Sequence, residues 1–200
     1  MEDQDKAAQA AGENAPVAIR GKGQEITVAL VPLDSKFADL IRGWRNHPAI
    51  SRWCRQNNLI TDMDQAEWLR KQNGDPRIRM YLIWAKTDEA ENPVGVCGLT
   101  DIDLVSRRAE FSLYIAPGMH GRGLGKAALG LLFDKGFDDL GLNVIWGETF
   151  DGNPAMRCWD RLGLVKEGTR RDFYFKEGRF VDAHLVSVKA DEWRKRRATA

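Results

Sequence analysis

Apolar and polar positions alternate, or recur at helical spacing, through most of the chain from residue 26 to residue 188. Residues 26–33 alternate loosely and run into Pro32-Leu33-Asp34, which predicts a first strand. With Asp34 or Ser35 as cap, a helix then follows to Trp44, burying Phe37, Leu40, Ile41 and Trp44. A second short helix starts at Thr61 or Asp62, with Glu67 placed to answer the cap and Trp68 and Leu69 turned inward. Residues 79–87, 93–103 and 109–115 read as three strands of a meander. In the last of them Phe111, Leu113 and Ile115 share one face and Glu110, Ser112 and Tyr114 the other. Residues 124–140 form the longest amphipathic run, with Leu124, Ala128, Leu132, Phe133, Phe137 and Leu140 on its apolar side and Gly141 as its stop. Strand 144–150, a short helix over 154–162, and strands at 164–167, 171–176 and 180–188 complete the pattern. Because a helix crosses from 109–115 to 144–150, those two strands should be parallel, and ligands of such units bind at the strands' carboxyl ends.

The loop at that place is Pro117-Gly118-Met119-His120-Gly121-Arg122-Gly123-Leu124-Gly125-Lys126. Its glycines let a ligand approach the backbone, and no Ser, Thr, Asp or Asn caps the helix that follows. The unpaired amides of the first turn, with Arg122 and Lys126 beside them, suit a phosphate-bearing ligand. Two nucleotide spacings fail. G-x-x-x-x-G-K-[ST] would need glycine at His120 and Ser or Thr at Ala127, and G-x-G-x-x-G meets Lys126 or Ala128 where its last glycine should stand.

Composition narrows the setting. Two hundred residues with 43% hydrophobic content suit one domain, and a net charge of +1 gives no global reason to invoke nucleic acid or a membrane. Residues 1–23 lack apolar periodicity and read as a disordered tail, 24–194 as the domain, and 195–200 as a basic tail, solvated rather than bound to nucleic acid. The acidic start carries no secretory signal. Cys54, Cys97 and Cys158 are too few and too scattered for a disulfide framework or a zinc site, so a reducing cytoplasm is expected. His47, His120 and His184 are equally scattered, and no metal is expected.

His120-Gly121-Arg122-Gly123-Leu124-Gly125 resembles the [QR]-x-x-G-x-[GA] loop of the GNAT superfamily of N-acetyltransferases, with His120 in place of Gln or Arg. The run Trp44-Arg45-Asn46 with Ile50 and Trp53, then Thr61 and Trp68-Leu69, resembles one branch in particular. So do Glu167-Gly168-Thr169-Arg170-Arg171, Gly178-x-Phe180-x-Asp182 and Glu192-Trp193. That branch holds the ribosomal-protein N-terminal acetyltransferases of the RimJ/RimL type and the nucleotide-aminosugar N-acetyltransferases. The likeness covers residues 25–193. It implies an α/β (α+β) fold with a mixed, mostly antiparallel sheet of about seven strands, about four flanking helices and one parallel strand pair at the cofactor site.

The resemblance also implies acetyl-CoA as donor, held by His120, Gly121, Arg122, Gly123, Leu124, Gly125 and Lys126, with Ile115 on the strand edge beside the pantetheine arm. The Tyr114 amide would polarise the acetyl carbonyl, and Glu110 falls where some members carry a catalytic glutamate. Glu110 could equally be a strand carboxylate paired with Arg107 or Arg108, and Glu148 is the second candidate for the base. Trp159 stands where relatives have a proton-donating tyrosine, and its indole N–H does not titrate usefully. Asn153 is expected to reach the cofactor from the preceding loop. Trp53, Asn46, Arg171 and Asp182 are the candidates for the acceptor side. The acceptor expected is a small-molecule primary amine such as an aminosugar nucleotide, with a homodimer left open. A protein N-terminus, an amine on a modified nucleic acid, or a catalytically inactive acyl-CoA-binding module are the alternatives.

Overall fold

The computed structural model describes residues 15–199. Its sheet holds eight strands in the order β1-β2-β3-β4-β5-β6-β8-β7. These are β1 (Val17–Gly21), β2 (Gln24–Pro32), β3 (Arg79–Lys86), β4 (Glu91–Asp103), β5 (Arg108–Ile115), β6 (Val144–Phe150), β7 (Val165–Lys176) and β8 (Arg179–Lys189). Six α-helices accompany them: α1 (Ala38–Asn46), α2 (Pro48–Ser51), α3 (Asp62–Gly74), α4 (Leu124–Asp134), α5 (Met156–Leu162) and α6 (Ala190–Thr199). All neighbouring strands are antiparallel except β5 and β6. The mixed α/β architecture and the parallel pair are as the sequence predicts, with one more strand and two more helices.

The additions have local causes. β1 lies inside the expected N-terminal tail; Val17-Ala18-Ile19-Arg20-Gly21 is too short to show a period, yet a turn at Lys22-Gly23, both at positive φ, folds it onto β2 from Val17↔Val28 to Gly21↔Gln24. The rest of that expected tail, residues 1–14, lies outside the described residues. At the other end the expected basic tail is part of α6. Trp193 there donates from Nε1 to Asp134 at 2.7 Å and meets Phe133 edge-on, while Arg197 reaches Asp134 and Asp138, both at 2.7 Å. Arg194 and Arg197 of the basic end are thus paired with Asp134, the last residue of α4, and Asp138 in the turn after it.

Two core layers sandwich the sheet. One packs α4, α5 and α6 around Phe111, Leu132, Phe133, Ile145 and Trp159; the other, smaller, sets α1 and α3 over Val31, Leu82 and Val96, with Ile41 at its centre. α3 begins with a capping box in which Thr61 and Asp64 serve each other, so the expected part for Glu67 is taken by Asp64; Glu67 instead pairs with Arg70 and Lys71. The long helix stops at Asp134 and continues as a wider turn through Asp139, where Leu140 N–H bonds to Lys135 O, before Gly141 at φ 62° releases the chain. β7 is one strand rather than two. Its bulges at 166–168 and 170–174 produced the apparent gap.

Candidate active site

Gly121 (φ 76°) and Gly123 (φ 83°) adopt a left-handed backbone that side chains disfavour, and Gly123 is the N-cap of α4 with no side-chain cap. No atom lies within 4 Å of where a Cβ on Gly121 would point, so the loop opens outward. The Arg122 Nε is buried without a partner. His120 and Lys126 are exposed beside it, and Leu124 is buried and anchors the helix. First-turn amides without a side-chain cap, the cations Arg122 and Lys126, and the unpaired Arg122 Nε fit a phosphate-bearing group. β1 supplies a wall that the sequence did not announce: Gly21 packs against the Arg122 carbonyl and Ile19 against Gly123.

β5 and β6 pair only over Arg108↔Val144, Ala109↔Ile145 and Glu110↔Trp146. Beyond those three pairs the two strands run on to Ile115 and Phe150 without pairing, so they splay. The backbone of residues 111–115 therefore keeps an edge that no strand covers on the β6 side. A cleft of about 340 Å³ occupies the opening, lined by Glu110, Tyr114, Glu148, Asn153, Trp159 and Trp53 among others. Gly125 at the start of α4 closes against Leu113, and Ile115 is buried below the loop.

Trp159 forms part of the cleft floor. Its ring stands edge-on to Phe111 at 5.1 Å in the core, and its Nε1 has no partner. Asn153 is held by two bonds, donating to Thr149 Oγ1 at 2.6 Å and accepting from Ala155 N–H at 2.9 Å. Both therefore have fixed positions at the mouth of the splay.

Two carboxylates face the cleft, and one arginine joins them. Glu110, 7% exposed, accepts from both terminal nitrogens of Arg55. The expected pairing with Arg107 or Arg108 does not occur: Arg107 bonds the Gly141 carbonyl, and Arg108 faces Asp103. Glu148 accepts from Tyr174 hydroxyl at 2.6 Å and Arg170 at 2.8 Å, with Arg55 Nε at 3.3 Å. Burial works against the Arg55 charge, but hydrogen bonding to Glu110 and the charges of Glu110, Tyr174 and Glu148 outweigh it and raise the guanidinium pKa. Burial and the bond to Glu148 also raise the Tyr174 hydroxyl.

Arg55 is positioned by a segment sewn to the far hairpin. Lys176, buried, sends its ammonium to Cys54 O at 2.7 Å, Gln56 O at 3.2 Å and Asn57 Oδ1 at 2.7 Å, and Arg52 meets Glu177 at 3.1 Å. Sequence periodicity could not find Arg55 or Lys176, because the first lies in an irregular polar run and the second on a strand otherwise exposed. Tyr114 turns its ring toward α1, under the Arg45 guanidinium at 5.6 Å. Its buried hydroxyl has no partner, and burial pushes its pKa well above the usual range.

Three of the acceptor-side candidates do not join this cleft. Asn46 is consumed by both backbone groups of Ile60, at 2.8 and 2.9 Å, and so anchors the chain between α2 and α3. Asp182 accepts from the Asp172 N–H at 2.9 Å and holds the β7 bulge, while Arg171 beside that bulge is exposed to solvent. Trp53 does line the cleft. Among the described residues no group of His, Cys, Asp and Glu is placed to hold a metal ion, and no helix is long and apolar enough to cross a membrane.

A family model described as an acetyltransferase (GNAT) domain matches residues 27–164. An uncharacterized N-acetyltransferase, p20 of Bacillus licheniformis, is 27% identical over 172 residues, which is 83% of this chain and 94% of that protein. A spermidine N(1)-acetyltransferase of Vibrio cholerae is 28% identical over 78% of this chain and 87% of its own. A crystal structure of spermidine N-acetyltransferase from Vibrio cholerae, in complex with CoA and spermine, has the same fold: TM-score 0.77 at 23% identity, covering 84% of this chain and 98% of that one. Glycine loop, splayed strands and family match agree, and the chain belongs to the GNAT family as an N-acetyltransferase whose acyl donor is acetyl-CoA.

Proposed function

We propose that the protein transfers acetyl from acetyl-CoA to a primary amine on a small molecule, by direct attack within a ternary complex in the β5/β6 cleft. The observation that carries this reading is the splay: parallel pairing stops after Glu110↔Trp146, which leaves a free strand edge leading from the glycine loop to two buried carboxylates. When bound, acetyl-CoA supplies the thioester. Gly121, Arg122, Gly123 and Gly125 with Lys126 hold its phosphates, the edge at Ile115 orients its arm, and Asn153 and Trp159 border the arm's far side. The Tyr114 N–H points to β4, the same side as the Ala116 N–H bonded to the Val94 carbonyl, so the amides on the open edge are those of Leu113 and Ile115, and one of these donates to the acetyl carbonyl as negative charge develops there.

Glu110 is the group that takes the proton from the acceptor ammonium, and Arg55, bonded to both of its oxygens, holds it in place at the cleft. Glu148 is the less suitable base, since three groups, Tyr174, Arg170 and Arg55, meet it, against Arg55 alone at Glu110. Trp159 has no proton to give, so the departing thiolate is protonated from solvent. Trp53 closes the acceptor side, and the acceptor's charge state separates the acceptor classes. Spermidine, the acceptor in the Vibrio cholerae relative's name, would need free carboxylates for its ammonium groups. Both carboxylates of the cleft are engaged by arginine here, which favours an oxygen-rich amine such as an aminosugar nucleotide. A panel of amines incubated with acetyl-CoA, read by thiol release and by mass, tests the reading; acetylation of aminosugar derivatives is expected, and a preference for polyamines would contradict it.

A further inference from the structure

Behind Tyr114 a side cavity of about 170 Å³ opens between α1 and α3, sharing Arg45, Gln56, Trp68 and Tyr114 with the walls of the main cleft. Liquid water takes about 30 Å³ per molecule, so the space suits a planar polar group on two or three carbons. Three polar atoms around it are buried and unpaired: Arg45 Nε, Gln65 Nε2 and the Tyr114 hydroxyl. The first two can only donate, and the third can donate. Arg45 makes no ion pair among the described residues; its terminal nitrogen binds the neutral Gln56 side chain. Asp64 also borders the cavity from an exposed position, where the Thr61 N–H at 2.9 Å and the Thr61 hydroxyl at 2.7 Å both bond to its Oδ2 and hold its pKa low. Unmet buried donors are costly, and native structures pair them. Here the partner is missing from the protein itself.

We infer that this cavity is the acceptor's specificity pocket and takes a hydrogen-bond-accepting oxygen group, a carboxylate or amide carbonyl, borne on the amine that is acetylated. The inference rests on the acetyl-transfer reading for the identity of the reacting end. Tyr114 links the two functions: it lies on β5 between Leu113 and Ile115, whose backbone forms the open strand edge of the main cleft, and its side chain borders the pocket, so a filled pocket fixes the acceptor's distance from the thioester. A second ammonium in the same place would face the Arg45 charge and leave the buried Arg45 Nε and Gln65 Nε2 donors unpaired.

Titration calorimetry on the full chain saturated with CoA provides the test, with four amines of similar length: γ-aminobutyrate, γ-aminobutyramide, putrescine and n-butylamine. The first two should bind at least about tenfold tighter than the last two, the factor that one hydrogen bond to a charged or amide partner gives. Gln65→Leu keeps size and removes the donor, and should shrink that advantage to about threefold or less. Gln65→Glu should invert it in favour of putrescine, with CoA affinity and melting temperature checked in both variants. Putrescine binding as well as γ-aminobutyrate, or an order unchanged by Gln65→Leu, overturns the pocket. Selective binding without any acetylated product supports the pocket and counts against acetyl transfer, whereas efficient acetylation with diamines preferred does the reverse.

Discussion

Lys176→Met tests how the segment carrying Arg55 is held. The substitution keeps the length of the aliphatic stem and removes an ammonium that meets two carbonyls and one amide oxygen of residues 54–57. A hydrogen bond to a charged group contributes about 1.5–3 kcal/mol. Three of them do not sum, because the ammonium gives up its own hydration and because Gln56 and Asn57 border an open surface hollow where water can replace it. The net loss should be about 2–3 kcal/mol, which for a chain of this size lowers the melting temperature by about 4–12 °C. Without the clamp, Trp53 and Arg55 lose their fixed place in the cleft while the glycine loop is untouched. Steady-state kinetics should therefore show a several-fold rise in KM for the amine, and calorimetry an unchanged affinity for acetyl-CoA. A melting temperature within 1 °C of the wild type, a shift of only a few tenths of a kcal/mol by the same scaling, would refute the clamp. So would equal damage to both substrates' binding.

Gly123→Asp puts a side chain on a left-handed residue at φ 83°, against Ile19, and adds negative charge where phosphates bind; calorimetry should find no acetyl-CoA binding, with a folded circular-dichroism spectrum, and unchanged affinity would sink the loop assignment. Glu110→Gln should lower kcat by about 100-fold or more, the usual scale of a general base; an intact rate would remove Glu110 from the chemistry. Cys97 is fully buried and its thiol pKa is pushed far up by desolvation, so a thiol reagent at pH 8 should leave it unmodified until denaturant is added; Cys54 and Cys158, partly exposed, should react first.

Legibility followed periodicity. Strands β2 to β6, the helix from Leu124 and the glycine loop were readable because each repeats a pattern over several residues or lacks side chains where a ligand approaches. β1 was hidden because five residues show no period and its meaning lies in its contact with Arg122 and Gly123. The site divided in the same way. Glu110 was singled out by the family resemblance and set on its strand face by alternation, whereas its partner Arg55 lies 55 residues earlier in an irregular run, and only the fold brings them together. Asn46, Arg171 and Asp182 were chosen from motifs, yet motif position does not say whether a side chain faces a cleft or satisfies its own backbone; Ile60 and the Asp172 N–H claimed two of them. The basic end misled for a similar reason, since charge alone cannot reveal that Asp134 and Asp138 wait at the end of the neighbouring helix and in the turn after it.

On the proposed function, this cleft moves an acetyl group rather than merely holding a thioester. The most direct measurement incubates the protein with acetyl-CoA and a panel of small primary amines that includes aminosugar derivatives, and follows free thiol and acetylated amine together. Thiol and product should appear in equal amounts, only in the presence of both substrates, and both should be lost in Gly123→Asp. Tight acetyl-CoA binding with no acetylated product from any amine would contradict the account.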